Sequence, residues 1–422
     1  MIRRRTRESE ILRGLPGKLL TAMNAMRILI SFLATLWIFT PRCPGQEPTI
    51  PNSTLLFADN ATWKALYQSV RPNEENELRP LRVDPSLQTL LDAALKGADF
   101  LRAQRPVVRL LMQDAAWHAF DSLASERDYH EPANRALRLR LARVIAVSAL
   151  TEEEIKHLPA THTGAAIGDD QKRHTEFDVD LPTDLLEKGS DWLQLMYKNL
   201  GRIALTHEMS RRGRSEFLLF VRFPNGRKPL EDYLRSHNES AVAEGRRRDA
   251  SLNFMVDRVG PVPPIPKFPA HAQAVLLERM LAISDRGVPV ATPISRSLAM
   301  IDFQSAVNAE SGRLHGFRAA AFKLSPDTLL GKETNVHLRR LKEREPFTGE
   351  THFPLGLQQC STCHGGGGLI SLTGGVAGMI LPPNRAVDSL PKVTASDTQK
   401  WKMQRPEFGL LRGLLEGLYL AK

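Results

Sequence analysis

The residues with the clearest chemical potential are Cys360, Cys363 and His364, in the run Cys360-Ser361-Thr362-Cys363-His364. Two thiols three positions apart can add across the two vinyl groups of one haem, and the adjoining imidazole can then ligate the iron. The chain has only three cysteines among 422 residues, so two of them side by side with a histidine are poorly explained by chance. Other chemistries make demands that the flanking sequence meets badly. A structural zinc site needs two further ligands, normally a second Cys/His pair at close spacing, and the sequence offers no such pair. A thioredoxin-type dithiol opens a helix in a βαβ unit, whereas here four glycines, Gly365 to Gly368, come directly after the motif. A disulfide across two intervening residues would be strained. Zinc and a redox dithiol stand as the alternatives to haem.

These five residues resemble the haem-attachment site of the c-type cytochromes, and the resemblance extends loosely over the last quarter of the chain. It implies one covalently attached haem c, with Cys360 and Cys363 as the thioether links and His364 as the proximal iron ligand. Beyond the motif come Gly374, Gly375 and Gly378, so the backbone is able to approach a flat ring closely. In that family the sixth ligand is commonly a methionine in a loop near a proline, and Met379, just ahead of Pro382 and Pro383, is the position that resembles it. Met403 and His352 are the alternatives, and a second histidine would give a lower potential than a thioether. A vacant sixth position, open to peroxide or a diatomic ligand, is the remaining arrangement. One departure from the family stands just upstream. Gly349 to Gln359, with Pro354 and Gly356, lacks the amphipathic helix that usually precedes the attachment site.

The elements that must position this motif begin with a leader, residues 1–45. Arg3, Arg4, Arg5 and Arg7 open a basic segment, and after Arg27 an uncharged run of 13 residues extends from Ile28 to Thr40. That length is short for a membrane span and suits the apolar core of a secretory signal, so the expected location is the periplasm or another exported compartment. No A-x-A cleavage pattern lies between Thr40 and Pro48, which leaves an N-terminal membrane anchor open. Export agrees with the resemblance, because haem of this kind is attached outside the bacterial cytoplasmic membrane. With Cys43 set aside as part of the leader, no cysteine is left over for a disulfide.

Composition places the rest among ordinary soluble proteins, at 42% hydrophobic and 25% charged residues. The formal net charge of +10 raises the possibility of nucleic acid as a partner. Part of that charge belongs to the leader, though, and Arg211-Arg212-Arg214 and Arg246-Arg247-Arg248 read as solvated faces or loops without interleaved aromatics. The expected partner is therefore a redox protein or a membrane electron-transfer chain, not nucleic acid.

Residues 46–345 form the expected main domain and residues 346–422 the haem-binding region. Helical spacing of apolar residues predicts helices over 62–70, 85–103, 106–123 and 135–149, and Thr151-Glu152-Glu153-Glu154 has the form of a capping box that starts another. In the second long helix Trp117 and His118 read as a core tryptophan beside a surface histidine. A polar loop is expected over 161–174 and a further helix over 184–205. Glu216 to Phe223 reads as a strand, Pro224-Asn225-Gly226 as a turn, and Lys228 to Leu234 as a returning strand or a short helix. Gly260 to Pro269 holds five prolines and reads as an extended linker. A buried strand or short helix follows over 272–283 and strands over 297–303 and 317–324, with a turn at Asp285-Arg286-Gly287. The chain closes with an amphipathic segment over 397–420 that Pro406 divides. The expected fold class is α+β, with a mainly helical N-terminal part, a mixed middle and a small C-terminal haem-binding segment.

The expected function is that of an exported mono-haem electron carrier. A haem enzyme or sensor with an open sixth position is the alternative, and on balance an electron carrier fits better than a catalyst.

Overall fold

The computed structural model describes residues 57, 59–71, 85–124, 131–162, 181–182, 184–187, 189–197, 204, 207–208, 211–252, 267–304, 317–324, 329–330, 338–341, 346–348, 355–356, 369, 372, 387–390 and 397–420. All belong to one compact unit, Pro51–Lys422.

Helices come first. They are α1 (Ala61–Val70), α2 (Pro85–Lys96), α3 (Ala98–Arg102), α4 (Pro106–Ala124), α5 (Pro132–Ser148) and α6 (Glu152–Lys156). Their ends follow from local chemistry. The Asn60 side chain accepts the Trp63 backbone N–H and so caps α1. The capping box at α6 forms as its sequence indicates: the Thr151 hydroxyl accepts the Glu154 N–H at 3.1 Å, and the Glu154 carboxylate accepts the Thr151 N–H at 2.9 Å. Gly97 splits the expected 85–103 helix into α2 and α3.

The middle of the chain forms a seven-stranded antiparallel sheet in the order β6-β5-β4-β3-β2-β1-β9. Its strands are β1 (Leu193–Tyr197), β2 (Ser215–Arg222), β3 (Gln273–Ile283), β4 (Pro289–Phe303), β5 (Phe317–Leu324), β6 (Leu338–Arg340) and β9 (Val387–Leu390). Two short strands, β7 (Pro346–Thr348) and β8 (Leu355–Gly356), pair separately. The turn at Asp285-Arg286-Gly287 closes the β3–β4 hairpin, with Gly287 at φ 71°.

Two sequence expectations are corrected here. The helix expected over 184–205 contains the strand β1, because Leu193, Leu195 and Tyr197 alternate onto one face and the backbone is claimed on both sides by β2 and β9. The short element expected after the turn at Gly226 is α7 (Arg227–Leu252), a helix of 26 residues. The linker over 260–269 and the loop over 161–174 fall mostly outside the described residues, as do the leader, Cys43 and Arg246-Arg247-Arg248 side chains.

The sheet has a different cover on each face. Toward one lie α4, α5 and the C-terminal helix α9 (Pro406–Leu420), which meet Leu218, Phe220, Val275 and Leu277 in one core, and α8 (Asp397–Met403), which contacts β2 and β4. The division at Pro406 is as expected, and Phe408, Leu411 and Leu415 seat α9 in that core. Helix α4 is buried on nearly every side, since the sheet, α5 and α9 all contact it. Toward the other face lies α7, whose Leu230, Tyr233 and Leu234 pack on Phe217, Leu219 and Val221. Among the described residues no helix is long and apolar enough to cross a membrane.

Candidate functional site

Cys360, Cys363, His364, Met379 and His352 lie outside the described residues. Met403 ends α8 with 41% of its surface exposed. What the structure does describe is the chain beyond the motif, at Leu369 and Leu372 between the two groups of glycines and at Val387 past them. Leu369, five residues beyond His364, is buried in the core under α7, and Leu372 packs against it. Val387 of β9 is buried in the same core. Both points are therefore tied to one region, and α7 supplies the ties. The Tyr233 hydroxyl hydrogen-bonds the Leu369 backbone. The Asn238 side chain donates to the Val387 carbonyl at 2.6 Å and accepts the Val387 N–H at 2.7 Å, completing the backbone hydrogen bonding of β9 as a neighbouring strand would.

The core at this place is aromatic. Phe268 sits edge-on to Phe223, Tyr233 and Phe303 with centroids 5.2, 5.5 and 4.9 Å apart. One turn along α7 from Tyr233, the His237 ring stacks on it at 6.2 Å and 10°. His237 is 2% exposed, and its Nδ1 is buried without a hydrogen-bond partner. Burial pushes its pKa down to about 4, so the ring is a neutral imidazole with a lone pair available at neutral pH. Burial likewise pushes the Tyr233 phenol up, against a smaller opposite effect of the Leu369 backbone, so Tyr233 stays protonated. A buried polar atom left unmet costs about 1–3 kcal/mol, which makes His237 the exception to be explained on this face. The sequence does not single it out. The one signal was the i,i+4 spacing of Tyr233 and His237, which carries meaning only once a helix over 227–252 is established. Beside these residues a cleft of about 350 Å³ opens to solvent, lined by Phe223, Pro229, Tyr233, Ser236 and Lys267 among others.

The helix-covered face is charged. Arg211 and Arg214, expected to be solvated, are 3% and 0% exposed. The reason is a tight turn: Gly213 has φ 71°, and a Cβ there would come within 2.5 Å of the Trp401 ring, so the arginines are carried between the sheet and α8. Arg211 pairs with Glu278 at 3.0 Å, and Arg214 lies 3.5 Å from Asp114 and 3.8 Å from Asp121. Lys402, wholly buried, meets Asp121 at 2.6 Å and donates to the Arg212 carbonyl at 2.7 Å. Arg296 joins Asp114 at 2.5 Å to Glu278 at 3.3 Å, and Arg279 pairs with Glu216. Burial opposes the charge on Glu278, but Arg211, Arg296 and the hydroxyls of Ser297 and Ser215 outweigh it and hold the carboxyl below its ordinary value. Burial lowers Lys402, with Asp121 opposing.

Trp117 is a core residue as expected, its ring 6.1 Å from Phe408. His118 is instead half-buried and takes a hydrogen bond from Arg214 at 2.8 Å. No cluster of three or more metal-ligating side chains occurs among the described residues.

This network locks helices to sheet and pairs its cations with carboxylates; buried polar atoms without a hydrogen-bond partner occur there too, Asp121 Oδ1 and Glu216 Oε1 among them, and a second buried histidine, His162, has an unmet Nδ1 like that of His237. No family model matches this chain, and comparison with curated proteins and with solved structures gave no match.

Proposed function

We propose that this chain is an exported mono-haem c-type cytochrome that exchanges single electrons with a redox partner protein or a membrane electron-transfer chain. Cys360 and Cys363 would hold one haem c through thioether links, and His364 would ligate its iron. The observation that carries this reading is the C-x-x-C-H run, made from two of the three cysteines in the chain. A haem held there supplies reversible one-electron chemistry at iron. The described residues beside the run suit such a group: Leu369 and Leu372 enter an apolar, aromatic core, and a neutral buried imidazole waits in it with an unmet nitrogen. An apolar surround excludes water from a redox centre and so helps to set its potential. On the sequence resemblance Met379 is the sixth ligand. The basic character of the chain suits an acidic partner.

Mass spectrometry of protein exported from a host with haem-maturation machinery tests the cofactor directly. The expected mass is that of the processed chain plus one haem, and C360A/C363A should abolish the addition. A colourless product with the bare mass of the chain ends the reading. The optical spectrum of the reduced protein then separates carrier from catalyst, since a sharp low-spin band belongs to a doubly ligated iron and a high-spin spectrum that shifts with cyanide belongs to an open one.

A further inference from the structure

We infer that the cleft beside the first turns of α7 is a binding site for a small aromatic acid, a flat apolar ring that carries one carboxylate. The site uses no residue of the cysteine motif, so it stands independently of the haem reading.

Its shape is set by rigid parts. Pro224, Pro229 and Pro269 line the cleft, and a proline ring fixes its own backbone φ. The turn from Phe223 to Gly226 carries Pro224 and Asn225 to the start of α7: the Gly226 N–H donates to the Phe223 carbonyl at 3.1 Å, and Gly226 takes φ 85°. Behind these residues Phe223 and Tyr233, edge to face with centroids 5.4 Å apart, form the outer end of the aromatic core and line the cleft as well. Walls of this kind exist before a ligand arrives, so binding loses little ordering entropy. The volume of about 350 Å³ is at the small end of ligand pockets and suits a single ring.

Charge defines the rest of the ligand. Lys267 is exposed at the cleft and makes no hydrogen bond or ion pair with another residue among those described. Asp232, the acidic residue of the lining, is already held by Lys228 at 2.5 Å and by Arg235 at 3.2 Å. Arg227 and Glu231 cancel one another at 3.0 Å. Positive charge is therefore in excess at the mouth, which attracts an anion and repels a cation. The Ser236 hydroxyl and the Asn225 amide line the same cleft, and with the Lys267 ammonium they are donors that carboxylate oxygens can accept from.

The test titrates 4-fluorobenzoate into the full-length protein and follows it by fluorine NMR. Binding should saturate, and 4-fluorobenzamide, which has the same shape without the charge, should bind about tenfold more weakly, the effect of losing one hydrogen bond to a charged group. Acetate, which has the charge without the ring, should fail to displace the benzoate at equal concentration. Lys267→Met keeps the apolar stem at an exposed position, so it should leave the thermal melt unchanged, weaken the benzoate about tenfold and spare the benzamide. Ser236→Trp, which fills the cleft from α7, should abolish binding of both; if that variant fails to fold, Lys267→Met decides alone. The inference is overturned by any of four results: no saturation up to about 10 mM, a free energy weaker than about 3 kcal/mol; equal affinity for acid and amide; a Lys267→Met protein that binds the benzoate as the wild type does; or a folded Ser236→Trp protein that still binds it.

Discussion

Toward its helices the sheet buries Arg211, Arg214, Arg296 and Lys402 against Asp114, Asp121 and Glu278, while on the other side His237 is buried against Tyr233 with no hydrogen-bond partner for Nδ1. The contrast separates two uses of buried polarity. Matched charges fix how helices sit on strands, because any slip exposes an unpaired ion to a low dielectric. An unmatched neutral group does nothing for that alignment, and its burial is a cost that the packing around it offsets.

The largest effect that sharpens this contrast is expected at Lys402. Lys402→Met leaves Asp121 charged and buried, and should cost about 3–5 kcal/mol by denaturant unfolding. The double variant Lys402→Met with Asp121→Leu should recover most of that loss, since a buried pair replaced by apolar groups is often neutral. A double variant as unstable as the single one would mean that the network is held by more than charge matching.

The next effect is a pH dependence. The folded pKa of Glu278 lies below its ordinary 4.5, so its contribution to stability is complete above that pH and fades as the pH falls through the folded value. Glu278→Gln should therefore flatten the acid limb of stability below pH 4.5, measured by thermal melts across a pH series. On the aromatic face, Asn238→Ala removes two hydrogen bonds to Val387 and leaves backbone groups of β9 unmet, for an expected loss of about 1–3 kcal/mol. Amide exchange should quicken in β9 and stay slow in α4. The smallest effect belongs to the exposed i,i+4 pair Arg412–Glu416, where Arg412→Ala should change stability by about 0.5 kcal/mol or less. A larger change there would blur the distinction between buried and surface charge.

Much of the helical part was legible because its signals are local. Asn60, the Thr151–Glu154 box and Pro406 act on neighbours three or four positions away, and the apolar spacing in α2, α4 and α5 needs no partner to be read. The β3–β4 hairpin was legible from its turn residues for the same reason. The strand β1 was not, since Leu193, Leu195 and Tyr197 suit a strand only when β2 and β9 are there to take the backbone hydrogen bonds. Nor was the burial of Arg211 and Arg214, whose carboxylate partners lie from 67 to 100 residues away. The candidate site divided in the same way: the cysteine motif declares itself in five consecutive residues, while His237 acquires meaning only beside Tyr233 and Leu369.

The sequence by itself determined the chemistry on offer, two thiols and an imidazole within five residues, and the local starts and stops of most helices, because covalent spacing and capping act within a few residues. Only the tertiary structure decided which face of the sheet receives the chain beyond that motif and which histidine is left there with an unmet nitrogen. Those facts depend on α7, β9 and Leu369 meeting across more than a hundred residues of chain, and burial is a property of that meeting and not of any one residue.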